Sequence, residues 1–152
     1  MIRDAKLILS SAQTVGATAA ATQTFSTNII DLGATGLDIG AGTPLYLNIY
    51  TANEYTFIGA TEWCAFKLQG GTGSTFVDTG SLLIEKRMRI PEIQAANDSD
   101  GKILCVSIPH DMTGLPNRYL RLMYWRSNAE TAWAAEFNAW IGPPLPLTRK
   151  GT

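Results

Sequence analysis

Along this chain apolar residues return at every second position in short bursts, and glycine, proline or an Asx pair cuts each burst off. A period of two sends alternate side chains to opposite faces of an extended segment, which is the pattern of a strand and not of a helix. Leu45, Leu47 and Ile49 share one face and Tyr46, Asn48 and Tyr50 the other, in a strand that Pro44 opens. Cys64, Phe66 and Leu68 alternate in the same way with Trp63, Ala65, Lys67 and Gln69. Gly70-Gly71-Thr72-Gly73 ends that run in a turn.

The remaining segments extend the pattern. Phe25 to Leu32 reads as one strand closing at Gly33, and the glycines from Gly33 to Gly42 read as a punctuated loop. Leu82 to Met88 reads as a shorter strand with Leu82 and Ile84 inward, broken by Pro91. Asn97-Asp98-Ser99-Asp100-Gly101 carries the Asp-Gly signature of a turn. Lys102 to Ile108 is apolar nearly throughout, as a strand covered on both faces would be. Arg118 to Arg126 and Ala132 to Ile141 read as a hairpin joined by Ser127 to Thr131. Asp4 to Gln13 is expected as a short helix or an extended arm, and Gly16 with the flanking threonines weakens a helix at Ala17 to Ala21.

A chain of 152 residues is long enough for one domain with a proper core and no staples. About seven or eight strands in one domain point to an all-β protein, a two-sheet antiparallel β-sandwich or jelly roll with extended terminal segments. The expected division is an N-terminal arm over 1–22, the sandwich over 23–142 and a Pro-rich tail over 143–152.

Chemistry is sparse. The single histidine, His110, sits in a Pro/Gly-rich stretch without a Gly-x-Ser-x-Gly nucleophile elbow anywhere in the chain. Cys64 and Cys105 lie in apolar runs and read as two buried thiols, with a disulfide as the sharper alternative. Two cysteines and one histidine do not fill a zinc site. A calcium loop around Asp98 and Asp100 would begin at Ala96 and end at Ser107, neither of which supplies the required ligand. The 33–42 glycines lack the lysine of a phosphate loop and precede a strand, not a helix. No paired carboxylates suggest glycosidase work. The expectation is a protein without catalytic residues, metal or cofactor.

Charge narrows the partners. Lys plus Arg number 12 and Asp plus Glu 13, so no global field draws the chain to nucleic acid or to an anionic membrane. The basic residues of the Glu85-Lys86-Arg87-Met88-Arg89 run, with Arg118, Arg121 and Arg126, read as ordinary solvated faces. Only 16% of residues are charged, against about 25% in an average protein, so much of the surface is uncharged and suited to lying against other protein. No apolar run approaches a membrane span or a signal-peptide core, which points to a protein kept or packaged inside the cell.

The last two strands carry the most informative face. With Leu120, Leu122 and Tyr124 inward, Tyr119, Arg121, Met123 and Trp125 point outward. With Trp133, Phe137 and Ile141 inward, Glu136, Asn138 and Trp140 point outward. Tyr, Arg, Met and Trp are the residues of protein interfaces, and burial of both faces within one domain is the competing account. Trp63, Trp125 and Trp140 are equally candidates for stacking on sugars, as in a carbohydrate-binding or receptor-binding jelly-roll module.

Three stretches, Leu9-Ser10-Ser11-Ala12-Gln13, Ser26 to Gly33 and Gly40 to Leu45, resemble the opening of capsid cement (decoration) proteins of short-tailed bacteriophages. Arg118-Tyr119-Leu120-Arg121-Leu122 resembles a late strand of the same family. The resemblance implies a jelly-roll virion protein on the exterior of an icosahedral shell, made in the bacterial cytoplasm. Its partner would be the phage major capsid protein, bound across capsomer boundaries, often by a dimer of the cement protein. The terminal segments, 2–13 and 143–152, would lie over neighbouring subunits.

Overall fold

The computed structural model describes residues 7–15, 23–33, 44–52, 63–76, 81–99, 101–108, 118–126 and 135–144. His110, Trp133, the glycines from 34 to 42, the Ala-rich 17–21 segment, most of the tail and residues 1–6 lie outside the described residues.

Nine strands and one helix are described: β1 Ile8–Val15, β2 Gln23–Phe25, β3 Ile30–Asp31, β4 Tyr46–Thr51, β5 Trp63–Gly71, β6 Ser81–Arg89, α1 Ile90–Ser99, β7 Lys102–Ser107, β8 Tyr119–Arg126 and β9 Ala135–Gly142. They form two sheets. The first runs β1-β9-β4-β7; the second runs β2-β8-β5-β6, with β3 also on β8. Every described pairing is antiparallel.

The order follows from one long hairpin rolled upon itself. Nested pairs β1·β9, β2·β8, β4·β7 and β5·β6 come from the hairpin, and rolling adds β9·β4 and β8·β5. This is the jelly roll, the expected all-β sandwich. It also corrects the expected hairpin of the last two strands. β8 lies in the second sheet between β2 and β5, whereas β9 lies in the first between β1 and β4. Both are apolar on alternate positions, and that local pattern is satisfied by facing one another across the core as well as by pairing side by side.

Other expectations change for local reasons. The anticipated N-terminal arm or helix is, over Ile8–Val15, a strand of the first sheet paired with β9. The expected strand from Phe25 to Leu32 is split. Ser26 N–H still bonds the Leu122 carbonyl at 2.7 Å, but Ser26 Oγ accepts the Leu122 N–H at 3.0 Å and donates to the Asn28 carbonyl at 2.8 Å, so its side chain takes the return bond of the ladder there. Pro91 does not end order but sits in the first turn of α1, where a missing N–H costs nothing. Glu92 accepts the Arg89 N–H at 2.9 Å, one half of a capping box, and Ile90 and Ile93 bury the helix against the core. Residues 97–99 of the expected turn are therefore helical. The turn itself comes at Gly101, at φ +75°, where the N–H bonds Ala96 and the carbonyl receives the Thr51 N–H. β7 is an edge strand, so Lys102 to Ile108 is not covered throughout.

A bulge corrects the face of Leu82. Leu68 opposes Ile84 but Gln69 opposes Leu82, which leaves Leu83 as the extra residue. Ile84 thus packs against the core while Leu82 is 51% exposed. Along the same edge strand Lys86 opposes the buried Phe66 yet stays exposed, and a charge on the inner face of an edge discourages further strands from adding.

The inward sets of β4, β5 and β8 are as the alternation predicts: Leu47, Ile49, Cys64, Phe66, Leu68, Leu120, Leu122 and Tyr124 are all fully buried. Three rings join the sheets at the centre. Tyr124 of the second sheet stacks on Phe137 of the first at 5.5 Å, and Phe66 meets both edge-on at 5.9 and 5.7 Å. Burial raises the Tyr124 hydroxyl above its ordinary pKa, so it stays protonated and donates a hydrogen bond to Ser10 Oγ at 2.9 Å. Ser10 Oγ donates to Gln13 Oε1 at 2.6 Å. That same oxygen accepts the Thr27 N–H, and Gln13 Nε2 donates to the Phe25 carbonyl. The bulged β1 is thereby stitched to the second sheet as well as to the first.

The two cysteines are free and separated by the fold. Cys64 points inward from β5, whereas Cys105 opposes Asn48 on the outer side of the first sheet. The disulfide is thus overturned, and Cys105 is half-buried, not buried. Burial pushes the Cys64 thiol up to about 12. A thiol reagent at about pH 8 is therefore expected to label Cys105 in the native protein and Cys64 only on unfolding, which mass spectrometry of pulse-labelled protein will show.

Candidate interaction face

The outer face of the second sheet is built by strand register. Opposite one another across β8, β5 and β6 stand Trp125, Ala65 and Arg87, then Met123, Lys67 and Glu85, then Arg121, Gln69 and Leu82. Trp63 opposes Arg89 at one end, and Gly71 opposes Tyr119 at the other. β2 adds Phe25 beside Met123, and β3 adds Asp31 beside Tyr119.

Cations cover the rings. Lys67 Nζ lies 4.0 Å from the Trp125 ring centroid, and Arg87 lies 4.8 Å from that of Trp63. The two indoles meet edge-on at 5.6 Å. Glu85 holds both cations in place, at 3.5 Å from Lys67 and 2.6 Å from Arg87. Its carboxyl is lowered below its ordinary pKa, chiefly by the Arg87 hydrogen bond. At the far end Arg118 lies over the Tyr119 ring at 5.0 Å and grips Asp31 with Nε at 2.8 Å and Nη2 at 2.9 Å. That fork and the Gly33 N–H lower the Asp31 carboxyl to about 2.

Arg121 occupies the middle. Its Cζ lies 4.0 Å from the Phe25 ring and 4.3 Å from the Phe76 ring, and its Nε donates to Gln69 Oε1 at 2.9 Å. Phe76 reaches this position by folding back over Gly71, where an added Cβ would stand 2.9 Å from the ring. Phe76 itself takes φ +47°, a conformation that a bulky side chain adopts only under constraint.

Five of the six residues read from the sequence as an interface are therefore one face: Tyr119, Arg121, Met123, Trp125 and Trp63. Of these five Met123 is the most buried, 9% exposed between its longer neighbours. Trp140 is not part of it. It faces outward from the first sheet, on the opposite side of the sandwich, stacks on Tyr50 at 5.4 Å and is only 3% exposed. Nor are all the basic positions solvated: Arg126 faces the core side opposite Cys64 and is 2% exposed. The sequence reading missed Phe25 and Phe76 because neither lies on the strand they serve. The Gly-Gly before Phe76 was the available signal, a place where another group approaches the backbone closely.

Beside this face Trp63, Arg87, Met88, Arg89 and Glu92 line an open pocket of about 330 Å³. Among the described residues no three or more His, Cys, Asp or Glu side chains gather as a metal site, and no helix is long and apolar enough to cross a membrane.

The fold and this face define a jelly-roll β-sandwich protein that presents one sheet of rings and cations outward. The chain belongs to the Bbp16 family, whose profile matches residues 9–141, from the first strand to the last. No curated protein matches it.

Two outcomes follow. Gly71→Ala pushes the Phe76 ring off the sheet, at a cost of about 1–3 kcal/mol for an overpacked site, read as a lower midpoint in urea. The Asp31 carboxyl is depressed in the folded state, so its contribution is complete above the ordinary value of 3.8 and is lost as pH falls through about 2. Melting curves of wild type and Asp31→Asn should differ above that window and converge below it.

Proposed function

We propose that the protein is a structural virion protein that binds the exterior of an icosahedral phage capsid and stabilises contacts between major capsid proteins. The observation that carries this reading is the outer face of the second sheet. It combines Trp, Tyr, Phe, Met and Arg, the residues that dominate binding energy at protein interfaces. Its cations are largely held by rings or carboxylates of the same sheet, so the face is ordered before any partner arrives and loses little side-chain entropy on binding. Jelly rolls serve in viral shells and in lectins alike, so the architecture alone does not choose between them. The resemblance of the opening segments and the late strand to phage cement proteins points to the shell.

The sugar-binding alternative finds less support. Stacking on a sugar needs a free aromatic face. Lys67 and Arg87 already lie over Trp125 and Trp63, and Trp140 is buried. On a shell, repeated copies and a dimeric cement protein would turn modest contacts into strong reinforcement.

Purified protein co-sedimented with expanded, undecorated phage capsids should saturate at a fixed copy number and raise the melting temperature of the shell. Binding to no related shell, together with a tryptophan fluorescence shift on adding glycans, would replace this reading with the lectin one.

A further inference from the structure

The outer side of this sheet carries five cations among the described residues, Lys67, Arg87, Arg89 and Arg121 on the strands and Arg118 just before β8, against two carboxylates, Asp31 and Glu85. Arg118 is matched by Asp31, and Lys67 with Arg87 share Glu85. Arg121 has no carboxylate among the described residues, although it stands in the middle of the face and is half-buried. Burial lowers its pKa, the sign of a charge partly stripped of water.

Its geometry is that of a receptor. β8 lies between β2 and β5, so Phe25 and Phe76 approach the guanidinium from opposite sides of its strand. Gln69 takes Nε and thereby sets the orientation of the group. Among the described residues the two terminal amino groups have no hydrogen-bond partner, so they stand as a pair of donors. A fixed guanidinium edge matches the two oxygens of one carboxylate, and the rings exclude water from around the pair. Arg and aromatic residues are enriched at interface hot spots, and a guanidinium held between rings is of that kind.

We propose that the Arg121 clamp receives the carboxylate of an acidic side chain on a partner protein. The inference rests on reading this face as a protein-binding surface, and it names the chemistry that the partner must present there. A nucleic acid is the less favoured occupant, because a phosphate backbone asks for a track of free cations and most of those here are already matched.

The test uses the whole chain and an acetylated tetraglutamate amide as probe, with the tetraglutamine peptide as control. The Arg121 side-chain Nε–Hε signal in a nitrogen–proton NMR spectrum reports occupancy. The acidic peptide should shift that signal to saturation and the control should not. Arg121→Lys keeps the charge but loses the fork, and should weaken binding about tenfold or more with an otherwise native spectrum. Phe25→Leu leaves the charge and opens one side of the clamp, and should weaken binding more mildly. No shift with wild type, equal affinity in Arg121→Lys, or tighter saturation by a single-stranded oligonucleotide would overturn the proposal. Capsid co-sedimentation separates the two readings. Wild type that binds shells but not the peptide, with Arg121→Lys binding shells equally, removes the clamp and leaves the shell role. Peptide binding without shell binding does the reverse.

Discussion

Tyr124, Phe137 and Phe66 meet where the two sheets face each other, and the rest of the structure is organised around that junction. Tyr124 stacks on Phe137 across the core while Phe66 closes the group edge-on. Ring pairs of this kind add about 0.5–1.5 kcal/mol each beyond simple burial, and they fix the separation and register of the sheets. The hydroxyl of Tyr124 carries the constraint further, through Ser10 and Gln13, to the backbone beyond β2. A buried hydroxyl must find a partner, so β1 has to come to it. β1 does so with two register shifts against β9 and with Ala12 at φ +45°. The positive φ and one of the two shifts lie between Ser10 and Gln13, the residues that link the Tyr124 hydroxyl to the second sheet.

The same register that buries Tyr124 displays its neighbours. Because successive side chains of β8 alternate, fixing Leu120, Leu122 and Tyr124 inward leaves Tyr119, Arg121, Met123 and Trp125 on the outer face. An outward sheet of naked rings would be an aggregation hazard. Here cations lie over the rings, with Glu85 and Asp31 anchoring three of them. The face stays soluble in character while keeping the large, rigid groups that give a protein contact its strength. Arg121 departs from this pairing, and its clamp is the point at which the face asks for something from outside.

The opposite side of the sandwich behaves differently. On the outer side of the first sheet, Asn48 is fully buried and donates to the carbonyls of Tyr46 and Pro143 at 3.2 and 3.3 Å. Trp140 beside it is shut between Tyr50 and the backbone at Gly142. Outward parity alone therefore does not fix exposure: Trp140 and Asn48 are buried on the first sheet, while Tyr119, Arg121 and Trp125 stay partly exposed on the second. Nothing in the pattern of β9 distinguishes the two, since an indole suits an interface and a covered surface equally well.

The sequence by itself determined the strands β4, β5 and β8 and their inner faces. The alternation in Tyr46–Thr51, Trp63–Gly71 and Tyr119–Arg126 is local and specifies which side chains turn to the core. A core of that kind with so many short strands makes a two-layer all-β domain. Only the tertiary structure decided which strands are neighbours. It separated β8 from β9, drew Ile8–Val15 into the first sheet, turned Leu82 outward through a bulge and brought Phe25 and Phe76 to Arg121. Alternation records the side of a sheet and carries no address for a partner strand, so the same bursts fit many pairings. The choice among them is made by contacts distant in sequence, such as the ring junction of Phe66, Tyr124 and Phe137, which exist only once the long hairpin has rolled.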